Sequence, residues 1–318
     1  MDLNNLYTLI NNEIIDKKFG VAQDDLSYLI DIENLDNILL FIFNISSSNE
    51  YSFSINRDDY NRCLIYIFDK ISSTKKIISL FYIRDKNSFR YKINSKFYTI
   101  RNSILKAITI IPLIGPDGAG KTTLLTTITD SLNQKYLLKV FKRITRRSIV
   151  FNLTYPLNVY KLKKKGIKKG KNEISDQNPG LVIMSGLTYY PYLIMIAFFQ
   201  KKLIFVDRFF QDSLMENIRF IDKIILLRKN WKTLLKFIPI TFWIIQLDAK
   251  NEIILSRKNE LSYDDIDKYR ELNFKIYLEK PAVIYSYINT GNDLENCKNT
   301  ILTIGDETGV LKKVTNES

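Results

Sequence analysis

The chain has 318 residues, 46% of them hydrophobic and 25% charged, which suffices for one large domain or two ordinary ones and excludes general disorder. It contains no histidine, which excludes Ser-His-Asp hydrolases, Cys-His proteases, zincins and His-ligated metals, so any catalysis must use carboxylates, Lys, Arg or a metal. The formal net charge of +13 is local: residues 135 to 171 hold 13 Lys and Arg and no acid, so the rest of the chain sums to zero.

The chain begins MDLNNLYTLINNEIID, with early acids and no basic stretch leading into an apolar one, so no signal peptide is expected. Cys63 and Cys297 lie far apart and outside any CxxC pattern, which suggests neither a disulfide framework nor a zinc site and fits a reducing cytoplasm. The pattern of residues then predicts a strand over Leu26 to Ile30, a helix over Asn34 to Phe43 and an amphipathic helix over Asp58 to Ile71. Two further strands are predicted, at Ile77 to Ile83 and Phe89 to Ile93. Within this part, QDDLSYLIDIENLDNILLFI resembles the metal-binding strand of nucleotidyltransferase-like domains, in which two carboxylates alternate on one strand face. Here Asp25 is in place but Ser27 stands where the second acid belongs, so that resemblance implies a degenerate, non-catalytic module. A plain strand with surface acids is the alternative.

Ile108 to Ile114 is a continuous apolar run suited to a strand buried on both faces of a parallel sheet. It is followed by GPDGAGKTT, which matches GxxxxGK[ST] at Gly115, Gly120, Lys121 and Thr122, and then by a helix over Leu124 to Leu132. Strand, loop and helix thus come in the order a phosphate-binding P-loop requires. Glycines let successive N–H groups turn toward a phosphate, and the helix N-terminus adds its positive end. Lys121 would bridge the β- and γ-phosphates, and Thr122 would offer its hydroxyl to Mg²⁺. Gly118, Ala119 and Thr123 complete the loop. Because this loop begins a third of the way along, residues 1–105 are expected to form a separate small α+β module and residues 106–318 the nucleotide-binding domain.

The basic segment ends in KLKKKGIKKGK, whose glycines and lack of apolar periodicity read as a mobile loop. It is either a solvated loop or one that attracts an anionic acceptor or the anionic face of a membrane. It lacks interleaved aromatics, which disfavours single-stranded nucleic acid. Leu181 to Phe199 has no charge over 19 residues and approaches the length of a membrane span, but Ser185, Thr188, three tyrosines and Pro191 interrupt it. A buried core helix broken near Tyr190 and Pro191 is the preferred reading. A strand at Leu203 to Val206, leading into Asp207-Arg208-Phe209, and a strand at Phe242 to Asp248 with a helix at Ile253 to Arg257 follow.

The string GxDGAGKTT, with Asp117 at the third loop position, resembles thymidylate kinase and its relatives among the nucleoside-monophosphate kinases. Asp207-Arg208-Phe209 is similar to that family's DRY motif, FWIIQLD to its strand ending in LD, and RKNELS followed by Arg270 lies where its lid would be. The resemblance spans Ile108 to Ile304 and implies an α/β fold with a helix-flanked parallel sheet, ATP and Mg²⁺ as cofactors, and phosphoryl transfer. It further implies that Asp207 holds the Mg²⁺ shell or orients the acceptor, that Arg208 grips a phosphate, that Arg146 binds the acceptor phosphate, that Asp117 touches an acceptor hydroxyl, and that Arg257 and Lys258 close over the ATP.

Where thymidylate kinases continue DRY with a serine and an AYQ stretch, this chain runs FFQDSLMENIRF. The pattern DRFFQDSL looks like a divergent branch associated with bacterial surface-polysaccharide genes, so the expected acceptor is a sugar, glycolipid or nucleotide. Authentic dTMP kinase activity is one alternative. A nucleotide-regulated binding protein, contacting nucleic acid or membrane through Lys161 to Lys171, is another. The other expected partner is a second copy of the chain, and the expected location is the cytoplasm or the inner membrane face.

Overall fold

The computed structural model describes residues 3–16, 20–24, 27–48, 51–57, 62–68, 75–82, 89–108, 110–132, 138–142, 179–200, 203–209, 212, 241–259, 261–279 and 282–311. In chain order the elements are α1 (Leu3–Asp16), β1 (Gly20–Asp24), β2 (Ser27–Ile30), α2 (Leu35–Ser48), β3 (Ser52–Asn56), β4 (Arg62–Phe68), β5 (Lys75–Tyr82), α3 (Phe89–Ala107) and β6 (Ile110–Ile114). They continue with α4 (Lys121–Leu132), β7 (Leu138–Lys142), α5 (Pro179–Phe199), β8 (Leu203–Asp207), β9 (Trp243–Asp248), α6 (Asn251–Arg257), α7 (Tyr263–Glu279), β10 (Ile284–Asn289) and α8 (Leu294–Glu307).

Among the described residues the ten strands join one sheet in the order β1-β2-β5-β4-β3-β10-β9-β6-β8-β7. The five strands from β6 onward are mutually parallel, with β6 at their centre between β8 and β9. β6 and the first four residues of β8 read as unbroken apolar runs because helices cover both faces, as a parallel sheet requires, whereas β9 and β10 also bury Gln246 and Ser286. Side chains alternate accordingly. Ile111, Leu113, Phe205, Ile245 and Leu247 pack on one face with Leu124 and Ile128 of α4 and with Ile301 and Ile304 of α8. Ile110, Ile114, Ile204, Val206 and Ile244 pack on the other, with α1, α2, Leu193 and Ile196 of α5, and Phe274 and Tyr277 of α7. Each such fully buried side chain contributes about 1.5–3 kcal/mol through burial. The fold is α/β, with helices flanking a sheet whose part from β10 to β7 is parallel, as the P-loop kinase resemblance implied.

The sheet runs across the boundary expected near residue 105. β3 pairs antiparallel with β10, from Ile284 opposite Asn56 to Tyr287 opposite Phe53. The core crosses it too: Phe43 of α2 stacks on Phe274 of α7 with ring centroids 4.2 Å apart, and Phe53 stacks on Tyr287 at 5.3 Å. Strands from the first hundred residues therefore extend the P-loop sheet.

Three local expectations are corrected. The helix expected over Asp58 to Ile71 is strand β4 in its described part, because RCLIYIF finds backbone partners on both sides, in β3 and β5. The strand expected at Phe89 to Ile93 is the start of α3. Apolar residues there recur at 89, 93, 97, 100 and 104, a helical spacing that a five-residue window does not show. The break expected near Tyr190 and Pro191 is absent, since α5 continues through Pro191. In the last turns of that helix Leu193, Ile196 and Ala197 are buried, whereas Met195, Phe198 and Phe199 are exposed. Among the described residues no helix is long and apolar enough to cross a membrane.

Candidate functional site

The loop from Gly115 to Thr123 leaves the C-terminal end of the central strand β6, where successive strands are placed on opposite sides. Such a switch point opens a crevice outside the strand ends. Gly115 has φ 150°, and a Cβ there would lie 2.2 Å from the Leu247 carbonyl oxygen of β9. Gly118 has φ 96°, and a Cβ would lie 2.7 Å from the carbonyl oxygen of Ile254 in α6. Side chains at either position would push the loop off the neighbouring backbone, so glycine is a packing requirement at both. The Gly115 N–H donates to Asp212 Oδ1 and to Tyr269 Oη, each at 3.1 Å. The mouth of the loop is thus fastened from two distant parts of the chain.

Lys121 opens α4 and is buried. Its ammonium donates to the loop's own carbonyls, Gly115 O and Pro116 O, the latter at 2.9 Å, and lies 3.7 Å from Asp117 Oδ1. Burial lowers its pKa, and the charges of Asp212 and Asp117 work against that. Thr122 and Thr123 follow, exposed on the first turn of the helix.

Asp117 collects cations from separate elements. Arg208 Nη2 lies 2.6 Å from its Oδ1 and Lys258 Nζ 2.8 Å from its Oδ2. Burial raises the carboxyl's pKa, but the Lys258 hydrogen bond and the charges of Lys121 and Arg208 outweigh it and hold it well below the usual carboxylate range. Arg208 has φ 66°, the one non-glycine residue with positive φ among the described residues. Left-handed backbone at a non-glycine residue is strained and concentrates at functional positions. The Arg208 N–H donates to Leu113 O at 3.3 Å, so the turn also closes the end of β8 against β6.

Asp207, at the end of β8, is buried, and its Oδ1 has no hydrogen-bond partner. Asp212 is also buried; its Oδ1 is held by Gly115 and its Oδ2 has no hydrogen-bond partner. Burial pushes the Asp212 carboxyl up to about 7, against the pull of Lys121, the Gly115 N–H and Arg208. An orphaned buried carboxylate oxygen beside a P-loop fits a site for Mg²⁺, which takes one or two protein carboxylates and completes its shell with phosphates and water. Among the described residues no cluster of three or more His, Cys, Asp or Glu could hold a metal alone.

The far side of the loop is met by α6 and the end of β10. Arg257 donates to Gly118 O at 3.4 Å and to Thr290 O at 3.1 Å. Thr290 donates its hydroxyl to Ala119 O and Asp248 O, both at 2.9 Å. Asp248 is fully buried and is held by Arg270, whose Nη2 reaches Oδ1 at 3.0 Å, by Tyr287 Oη at 3.0 Å and by the Ala249 N–H at 2.8 Å. Burial works against the Arg270 charge, but the hydrogen bonds and charge of Asp248 outweigh it and raise its pKa.

The structure therefore brings Lys121, Asp117, Arg208, Lys258 and Arg257 together around the loop. Arg270, which lies in sequence where a lid is expected, is instead locked onto Asp248 at the end of β9. Arg146 and Lys161 to Lys171 lie outside the described residues, as does Asp25 of the expected nucleotidyltransferase-like strand. Sequence reasoning gave no role to Asp212, Tyr269, Tyr287 or Thr290. Only Asp212 had a signal, as the second acid of the DRFFQDSL string.

A scan against protein-family models finds none that matches this chain. No curated protein matches it either. Among solved structures the chain is similar to the crystal structure of thymidylate kinase from Ehrlichia chaffeensis, at 14% identity and a TM-score of 0.39, over 62% of this chain and 98% of that one.

Proposed function

We propose that this protein is an ATP-dependent phosphotransferase that passes the γ-phosphoryl group to a sugar, glycolipid or nucleotide acceptor in the cytoplasm. The observation that carries the reading is the loop itself. A glycine-lined turn at the end of the central strand places Lys121 at the start of α4, with Asp207 and Arg208 at the end of the adjacent strand.

In this reading the backbone N–H groups from Gly118 to Thr123 and the Lys121 ammonium bind the β- and γ-phosphates. Lys121 gives up its bonds to Gly115 O and Pro116 O to do so. Arg208 stabilises charge on the transferring or acceptor phosphate, and Arg257 and Lys258 approach the nucleotide from the other side. Asp117 accepts from an acceptor hydroxyl. Mg²⁺, when bound with the nucleotide, supplies neutralisation of phosphate charge, and Thr122 and Asp207 are the residues that would hold it. The acceptor assignment rests on the departure of FFQDSLMENIRF from the thymidylate kinase pattern. Arg146 would bind an acceptor phosphate and Lys161 to Lys171 would draw in an anionic acceptor.

Radiolabelled ATP incubated with a panel of dTMP, sugars and glycolipid extracts tests this reading. At least one acceptor should become labelled, and Lys121→Ala should lower the rate by about a hundredfold or more, the usual consequence of losing a preorganised charge at the transferring group. An unchanged rate in Lys121→Ala would overturn the mechanism.

A further inference from the structure

Asp117 stands in an unusual position for a loop whose task is to bind anions. Its carboxylate faces three cations from three elements: Lys121 at the start of α4 at 3.7 Å, Arg208 after β8 at 2.6 Å and Lys258 after α6 at 2.8 Å. These are the groups to which the phosphotransferase reading assigns phosphate oxygens. Carboxylate and phosphate are the two anions that Arg and Lys bind with the same charge-assisted hydrogen bonds. Three cations face the Asp117 carboxylate, with the buried Asp207 and Asp212 close enough to Lys121 to act on its charge. The contact is also reachable, since the side chains of Asp117 and Lys258 are 24% and 38% exposed.

We propose that the Asp117 carboxylate is a built-in stand-in for phosphate: in the ligand-free chain it fills an anion subsite formed by Lys121, Arg208 and Lys258, and an incoming phosphate group must displace it. The inference rests on the phosphate-binding half of the proposed function and not on phosphoryl transfer. It has two consequences. Anion affinity is lower than the three cations alone would give, because each phosphate competes with a tethered carboxylate. Ligand arrival also breaks the Asp117–Lys258 bridge, one of the contacts between the end of α6 and the loop, and frees the Lys258 ammonium for the phosphate while Arg257 keeps its bonds to Gly118 O and Thr290 O.

Calorimetric titration of the full chain with sodium pyrophosphate tests this. Asp117→Asn keeps the shape of the side chain and removes its charge, and should bind pyrophosphate about tenfold tighter than wild type, with a gain that shrinks as salt rises. Asp117→Ser, which cannot hold Arg208 through an amide, should show the same direction. Equal or weaker binding in the folded variants overturns the proposal, as does failure of all three chains to bind pyrophosphate. A readout in the unaltered protein stands beside it: a carbodiimide should join Asp117 to Lys258 without a spacer in the ligand-free chain, and absence of that peptide from the digest also overturns it. A variant that binds pyrophosphate more tightly while wild type labels no acceptor would sink the transferase reading and leave this inference standing.

Discussion

Replacing Arg270 by alanine tests whether the Asp248 network is the buried support beneath the loop. Asp248 has no exposed surface, and its carboxylate is held by Arg270, Tyr287 and the Ala249 N–H. Removing the cation leaves a buried carboxylate without its charge partner, which costs about 3–5 kcal/mol. Two donors remain on Asp248, so the lower end applies, about 3 kcal/mol. With a urea dependence of about 3 kcal/mol per molar for a chain of this size, the unfolding midpoint should fall by about 1 M. Far-UV circular dichroism during a urea titration reads this directly. A second substitution, Asp248→Asn in the Arg270→Ala background, should restore part of the loss by removing the stranded charge. The Asp248 carbonyl accepts from the N–H and hydroxyl of Thr290, and Thr290 in turn holds Ala119, so ATP affinity should fall along with stability. A loss below about 1 kcal/mol would mean that the pair behaves as a surface ion pair, and would refute the reasoning.

Asp212 should make stability depend on pH. Its folded pKa of about 7 lies above its ordinary 3.8, so between those values the folded chain holds a proton that the unfolded chain has lost, and stability falls as pH rises toward 7. Asp212→Asn removes that term, so the melting temperature of the variant minus that of wild type should grow between pH 4 and pH 7 and level off above; a difference independent of pH would contradict the assignment. Gly115→Ala places a Cβ 2.2 Å from the Leu247 carbonyl at a backbone angle that side chains rarely adopt. It should cost about 1–3 kcal/mol in thermal unfolding and abolish ATP binding by calorimetry, and retained affinity would show that the loop has more room than its packing implies.

The parts of the site that were legible in the sequence are those whose chemistry is local. The P-loop string fixes Gly115, Gly120, Lys121 and Thr122 within eight consecutive positions, and β6 and Leu203 to Val206 of β8 are apolar because both of their faces are covered. The first strands were another matter. RCLIYIF reads as well on a helical period as on an alternating one, and its partners in β3 and β5 decide the matter. The support of the loop was hidden for the same reason. Gly115 is fastened by Asp212 and Tyr269, 97 and 154 residues away, and nothing in the local pattern of either residue points to that contact. Arg270 was misplaced because the resemblance put it in a lid, whereas its position within α7 brings it to Asp248 instead.

The pairing of β3 with β10 gives the first hundred residues a mechanical meaning. A sheet that stopped at β10 would present a row of free N–H and C=O groups, the kind of edge along which chains adhere to one another. Here the chain closes that row on itself, and Ser52 Oγ accepts the N–H of Asn289 one residue before Thr290. Self-association by strand addition has only the outer strands β1 and β7 left to use among the described residues, both remote from β10 in the sheet order. The strand end that braces the loop is therefore shielded from neighbours, and the first part of the chain is joined to it by backbone hydrogen bonds.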